Sequence, residues 1–187
     1  MRILPLLFYV QKIENPLERF NVVREVSGIT HAHIRSVLAC YYYLEFAAFI
    51  CSGNRNDRSV LSAYERTNTS FENLANQLKI KPTELGEFKR LLNGALPTLP
   101  ENEINSGGYV IHTLEAALWC IFNTDSYKEA VLKAVNLGDD TDTTACVTGG
   151  LAGIIYGAGS IPGEWLRQLA KKDDIERLIE KFTEKYG

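Results

Sequence analysis

Asn136-Leu137-Gly138-Asp139-Asp140-Thr141-Asp142-Thr143-Thr144 places three carboxylates and three hydroxyls within six residues, at a junction between two helical stretches. Before it, Ser126 to Leu137 repeats apolar residues at helical spacing, with Ala130, Val131, Ala134 and Val135 predicted inward and Gly138 suited to a C-terminal cap. After it, a helix starting at Asp139 or Asp140 is expected to reach about Ala158. Its small residues recur four apart, at Ala145, Gly149, Gly153 and Gly157. A glycine costs a helix about 1 kcal/mol relative to alanine, so the stripe predicts a neighbouring backbone in close approach.

Working outward, helical periodicity continues and alternating strand patterns are absent. Helices are expected over Ile3 to Val10 and from Pro16 to Val26, the second ended by Ser27-Gly28. Thr30 offers an N-cap oxygen for a long helix to about Ile50 that carries Val37, Leu38, Tyr41, Leu44, Ala48 and Phe49. Further helices are expected at Asp57 to Thr67, Phe71 to Leu78 and Thr83 to Asn93. A loop from Leu96 to Gly108 leads to an apolar helix, Tyr109 to Phe122. The closing segments Pro162 to Ala170 and Asp173 to Tyr186 carry Trp165, Leu169, Ile175, Leu178, Ile179 and Phe182 as a predicted inward set. No repeat or linker divides the chain, so residues 1–187 are expected to form one all-α domain.

The bulk composition narrows the function classes. With 187 residues the chain is long enough to bury a real core, and 45% apolar and 23% charged residues are ordinary for a globular protein. The net charge is −3 and the basic residues are scattered, which argues against a nucleic-acid surface. The longest apolar run, Val37 to Cys51, is interrupted by Glu45 and falls short of the roughly 20 residues a bilayer span needs, so it reads as a core helix. Met1 to Val10 has a single basic residue, an internal Pro5 and no cleavage site, so it does not read as a signal peptide. Cys40, Cys51, Cys120 and Cys146 are widely spaced in apolar contexts. Buried free thiols and a cytoplasmic location are the expectation.

Two readings of the acidic cluster stand side by side. One or two of the acids can cap a helix and complement its dipole. A third is better tolerated with a cation between the carboxylates, because like charges at contact distance repel. Asp140, Asp142 and the Thr143 hydroxyl then form an oxygen donor set for a hard divalent cation, Mg²⁺ or Mn²⁺.

Leu137-Gly138-Asp139-Asp140-Thr141-Asp142-Thr143, followed by Gly149-Gly150-Leu151-Ala152-Gly153, resembles the C-terminal metal motif of the ADP-ribosylglycohydrolase family. Ser27-Gly28-Ile29-Thr30-His31, Ser106-Gly107-Gly108-Tyr109-Val110 with Thr113 to Trp119, and Ile161-Pro162-Gly163-Glu164-Trp165 resemble further segments in the same order. The resemblance covers nearly the whole chain. It implies an all-helical, orthogonally packed bundle with a two-metal Mg²⁺ or Mn²⁺ centre. Such a site hydrolyses the glycosidic bond between ADP-ribose and a protein side chain or small acceptor. It implies Asp140, Asp142 and Thr143 as metal ligands, and Asp139, Gly107, Gly108, Tyr109 and His31 on the substrate side. Where the family usually has glycine, this chain has Asp139. The partners implied are an ADP-ribosylated protein or an ADP-ribose-like small molecule.

The family's N-terminal Gly-Asp-x-x-Gly region, acidic catalytic residue and Thr-Asp-Asp run find no match here. Thr124-Asp125 lacks the second acid, and Lys172-Asp173-Asp174 lacks the threonine. The resemblance therefore implies a C-terminal portion lacking N-terminal helices, inactive or nearly so by itself, and a homodimer or a partner that supplies the missing helices. A catalytically silent helical remnant that binds ADP-ribose or a protein is the alternative. Among the remaining candidates, His31 and His33 are two apart and do not share a helix face. His112 and Tyr41-Tyr42-Tyr43 read as packing residues, and Cys146 as a small residue inside its helix.

Overall fold

The computed structural model describes residues 2–52 and 60–186, and among them there are helices and no strands. A 3₁₀ turn at Leu4–Leu6 runs into α1 (Leu7–Val10), followed by α2 (Pro16–Gly28), α3 (Ile34–Ser52) and α4 (Val60–Gln77). The short α5 (Pro82–Gly86) and α6 (Lys89–Leu92) lead through two 3₁₀ turns to α7 (Val110–Phe122), α8 (Tyr127–Asn136) and α9 (Thr141–Tyr156). The chain closes with α10 (Gly163–Gln168) and α11 (Lys172–Tyr186).

Helix α3 is the hub: α2, α4, α7 and α9 all pack on it, and 12 of its 19 residues are buried. Its length and composition would suffice for a membrane span, yet most of its surface is covered by neighbouring helices, as in the core of a bundle. Tyr41, Tyr42 and Tyr43 are all at most 2% exposed, so consecutive residues touch different neighbours. Tyr42 meets Phe71 of α4 edge-on at 5.5 Å, and the Tyr43 hydroxyl donates to the Val147 carbonyl of α9 at 2.9 Å. Helices α7, α8 and α9 form a second packed group around Leu114, Ala117, Ala130, Ala134 and Leu151. Burying each large side chain of this kind contributes roughly 1.5–3 kcal/mol.

Two carboxylates go inside with the apolar residues, and each has a cationic partner. Glu45 of α3 receives Arg19 Nε at 2.6 Å and Nη2 at 2.9 Å, and the Ser70 hydroxyl donates to it at 3.0 Å. Glu115 of α7 faces Arg90 Nε at 3.1 Å. Burial pushes the Glu115 carboxyl above its usual range, and Arg90 opposes the shift.

Several local expectations are corrected. Thr30 does not cap α3: the His31 amide closes back onto the Ser27 carbonyl at 2.7 Å, and α3 starts at Ile34. The His33 ring takes the capping place, its Nδ1 accepting from the Arg35 amide at 3.2 Å. The two helices expected over Asp57 to Leu78 are one continuous α4 from Val60; residues 57–59 lie outside the described residues. The helix expected over Thr83 to Asn93 is split into α5 and α6. Cys146 is exposed and Cys51 half-buried, leaving Cys40 and Cys120 as the buried thiols. Val135 faces solvent, while Ala130 and Ala134 point inward as expected.

The inward set of the closing segment is also overturned. Leu169, Ile175, Leu178 and Ile179 are exposed, because α11 touches the bundle chiefly through Phe182 and Tyr186. Phe182 meets Phe8 edge-on at 5.6 Å, and Lys12 Nζ donates to the Tyr186 carbonyl at 3.1 Å.

The glycine stripe on α9 admits side chains, not a backbone. A Cβ at Gly149 would sit 3.4 Å from the Tyr127 hydroxyl, and at Gly153 it would meet nothing within 4 Å. The tight position is Gly150, off the stripe, where a Cβ would fall 2.6 Å from Leu4 Cδ2 and 2.8 Å from the Tyr43 hydroxyl. Gly150→Ala is therefore expected to cost about 1–3 kcal/mol by overpacking. Gly153→Ala is expected to gain about 0.5–1 kcal/mol through helix propensity. Denaturant titration of the two variants checks the opposite signs.

Candidate functional site

The turn from α8 into α9 is built by two consecutive residues in the left-handed region, Gly138 at φ +84° and Asp139 at φ +53°. Glycine takes this conformation freely, and aspartate is among the few other residues that tolerate it. That accounts for the glycine usually expected at position 139 and for why Asp139 still fits. Ser106 locks the turn: its hydroxyl donates to the Gly138 carbonyl at 3.0 Å, and its own carbonyl accepts from the Asp140 amide at 3.2 Å.

Asp140 is thereby delivered to the N-terminus of α9, and its carbonyl accepts from the Thr144 amide at 3.1 Å. Its side chain does not cap the helix. Instead the Thr143 hydroxyl in the first turn of α9 holds the carboxylate below the usual carboxylate range. Asp140, Asp142 and Thr143 thus sit together at the start of α9.

A cleft of about 620 Å³ opens beside them, walled by the end of α2, the first turns of α3 and the start of α7. Asp140, Thr143, Gly108, Tyr109 and His31 all line it. Asp142 is exposed on the first turn of α9. Asp139 is exposed and Gly107 half-buried, and neither lines the cleft. Gly107 acts through its carbonyl, which accepts from the Thr113 hydroxyl at 3.5 Å.

A cation fits this donor set on two observations. Among the described residues no salt bridge reaches Asp140 or Asp142, so two carboxylates on one helical turn have no cationic side-chain partner. A Cβ on Gly108 would lie 2.9 Å from Asp140 Oδ2, so only glycine leaves that carboxylate its present place. The set is nevertheless partial, since no group of three or more His, Cys, Asp or Glu gathers anywhere among the described residues. Two carboxylates and a hydroxyl leave about half of a six-coordinate sphere to other donors.

The comparisons with known proteins identify the family and the fold. The sequence profile of the ADP-ribosylglycohydrolases matches residues 1–187. The chain belongs to the ADP-ribosylglycohydrolase family. Over 81 residues, 43% of this chain, it is 50% identical to an ADP-ribosylarginine hydrolase of Serratia proteamaculans, spanning 22% of that protein. Over 76 residues, 41% of this chain, it is 40% identical to the ADP-ribosyl-[dinitrogen reductase] glycohydrolase of Rhodospirillum rubrum, spanning 25% of that protein. A solved structure titled ADP-ribosylglycohydrolase-related protein complex matches with TM-score 0.70 and 27% identity, covering 93% of this chain. The chain spans 54% of that relative's length.

This member of the family carries a polar strut on the cleft wall that sequence reasoning missed. Arg35 Nε donates to Glu84 at 2.6 Å, and Nη1 lies 3.3 Å from Glu87 and 3.2 Å from the Tyr109 hydroxyl, which donates on to Glu87 at 3.2 Å. Arg35 holds the Glu84 carboxyl below its usual range, so this pair persists to lower pH than a free glutamate allows and loosens as pH falls through the folded value. The strut ties α3 to α5 and to Tyr109, beside Gly108. An arginine two residues after His33, just before the apolar run from Val37, was the available signal, since a guanidinium near a core needs partners.

Proposed function

We propose that this chain provides one wall of a divalent-cation-dependent ADP-ribosylglycohydrolase site. The observation that carries the reading is that Asp140 and Thr143 line one cleft, with Asp142 on the same helical turn, and that the Asp140 carboxylate occupies a place that a Cβ on Gly108 would deny it. Asp140, Asp142 and Thr143 would hold Mg²⁺ or Mn²⁺. Such a cation supplies positive charge that orients ribose hydroxyls and a water and offsets charge as the glycosidic bond breaks.

The chain's own residues do the rest of the work on this wall. Gly108 leaves room for the Asp140 carboxylate, Tyr109 offers a ring held in place by Arg35 and Glu87, and His31 lines the same cleft. The substrate class is ADP-ribose joined to a protein side chain or small acceptor. No third His, Cys, Asp or Glu joins Asp140 and Asp142 in a metal-holding group among the described residues, and the remaining donors would come from water or from a second polypeptide segment. The isolated chain is accordingly expected to bind and not to turn over.

Thermal unfolding with Mn²⁺ or Mg²⁺ tests the reading. A ligand at about 100 times its Kd adds about 2.7 kcal/mol, which for a chain of this size raises Tm by roughly 5–10 °C. The double variant Asp140→Ala/Asp142→Ala should lose that rise. An equal rise in both proteins sinks the cation site, and release of ADP-ribose from ADP-ribosylated arginine by the isolated chain sinks the claim that the wall is incomplete.

A further inference from the structure

Helix α11 presents an apolar stripe that its own chain leaves uncovered. Ile175, Leu178 and Ile179 are 38%, 68% and 56% exposed, and they sit at spacings of three and four, on one face of the helix. The stripe continues into Phe182 and Tyr186, which share a groove with Tyr9 and Val26. A 15-residue helix is about 22 Å long, and only its C-terminal end is anchored on the bundle, at Phe8 and Lys12.

The charges flanking the stripe identify the occupant. Asp174 and Lys181 are seven residues apart, two turns along the same flank, each immediately preceding a stripe residue. They carry opposite signs. When two copies of α11 lie antiparallel about a two-fold axis near Arg177 and Leu178, Asp174 of each faces the partner's Lys181. A parallel pair has no such match, because Asp174 then falls beside the partner's Ile179. The acidic first turn, Asp173 and Asp174, also comes to lie beside the basic last turn with Lys185, which suits both helix dipoles. Asp174 already holds Arg177 within its own helix, an exposed pair that leaves carboxylate lone pairs free for a second cation.

We propose that this face of α11 is a self-association surface, on which a second copy of the chain docks antiparallel with Ile175, Leu178 and Ile179 forming the seam. Ile175, Leu178 and Ile179 do not line the cleft beside the cation cluster, and the test does not depend on that site. A seam of one helix with a small apolar flank belongs to the weak end of protein interfaces, with a Kd on the order of 10–100 µM.

Sedimentation velocity of the full chain, across a concentration range bracketing that value, reads the association directly. Wild type is expected to shift from monomer to dimer. Leu178→Glu, at a position 68% exposed and so neutral for folding, should weaken the dimer at least tenfold with an unchanged circular dichroism spectrum. Asp174→Lys and Lys181→Asp should each weaken it severalfold, and the two together should restore it. A wild-type monomer throughout the range overturns the proposal, as does a dimer indifferent to Leu178→Glu. Failure of the charge-swapped pair to recover overturns the antiparallel arrangement. In either of the first two cases the stripe serves a different polypeptide.

Discussion

Arg19→Ala is expected to lower the free energy of unfolding by about 3–5 kcal/mol, the largest effect of any single substitution considered. Glu45 lies in the hub helix with 5% of its side chain exposed, and the guanidinium of Arg19 binds both of its oxygens. Removing Arg19 leaves Ser70 as the remaining hydrogen-bond donor to a carboxylate that is almost wholly buried. At 2–4 °C per kcal/mol the loss corresponds to a fall in Tm of roughly 6–20 °C. Arg19→Leu combined with Glu45→Leu should recover most of it, because the cost comes from orphaning one charge and not from losing the pair. Thermal and urea unfolding of the three variants decide the matter, and a small loss for Arg19→Ala would mean that Glu45 finds water or a proton at little cost.

Gly108→Ala carries the second large effect, on binding and not on stability. Its Cβ meets Asp140 Oδ2 at 2.9 Å and nothing else nearer than 3.8 Å, and Gly108 itself is exposed. The substitution therefore displaces one carboxylate and leaves the bundle intact. Misplacing a group that positions metal ligands typically costs 10- to 100-fold in affinity. Mn²⁺ titration by calorimetry should give that loss, while the metal-free protein unfolds within about 0.5 kcal/mol of wild type. An unchanged affinity would separate Asp140 from cation binding, and a large loss of stability would mean that Gly108 is a packing residue.

How much of this was legible depends on what each element answers to. Gly138, the acids after it and the apolar residues of α3 and α7 follow local rules, and those elements lie where periodicity and turn chemistry put them. The grouping of Asp140, Asp142 and Thr143 was readable too, since all three sit within one helical turn. The cleft wall was not. Arg35, the pair Glu84 and Glu87, and Tyr109 come from three separate parts of the chain, and only the packing of α3 against its neighbours brings them together. Periodicity misled at α11, where a strong apolar stripe predicts burial without saying by which partner. It misled again at α9, where small residues four apart suggested a backbone contact but the crowded position is Gly150, pressed by Leu4 and Tyr43 from distant segments.

The hub position of α3 also bears on how the chain is made. Its last residue is Ser52, while α7 and α9, which cover it, are completed only at Phe122 and Tyr156. At a synthesis rate of about 5–20 residues per second, the ribosome takes roughly 5–20 seconds to supply them. During that interval a 19-residue apolar helix with the dimensions of a bilayer crossing is outside the exit tunnel with part of its cover still untranslated. Chaperone capture or mistaken membrane insertion of nascent chains competes with folding at that stage, and the Glu45 carboxylate in the middle of the segment weighs against insertion.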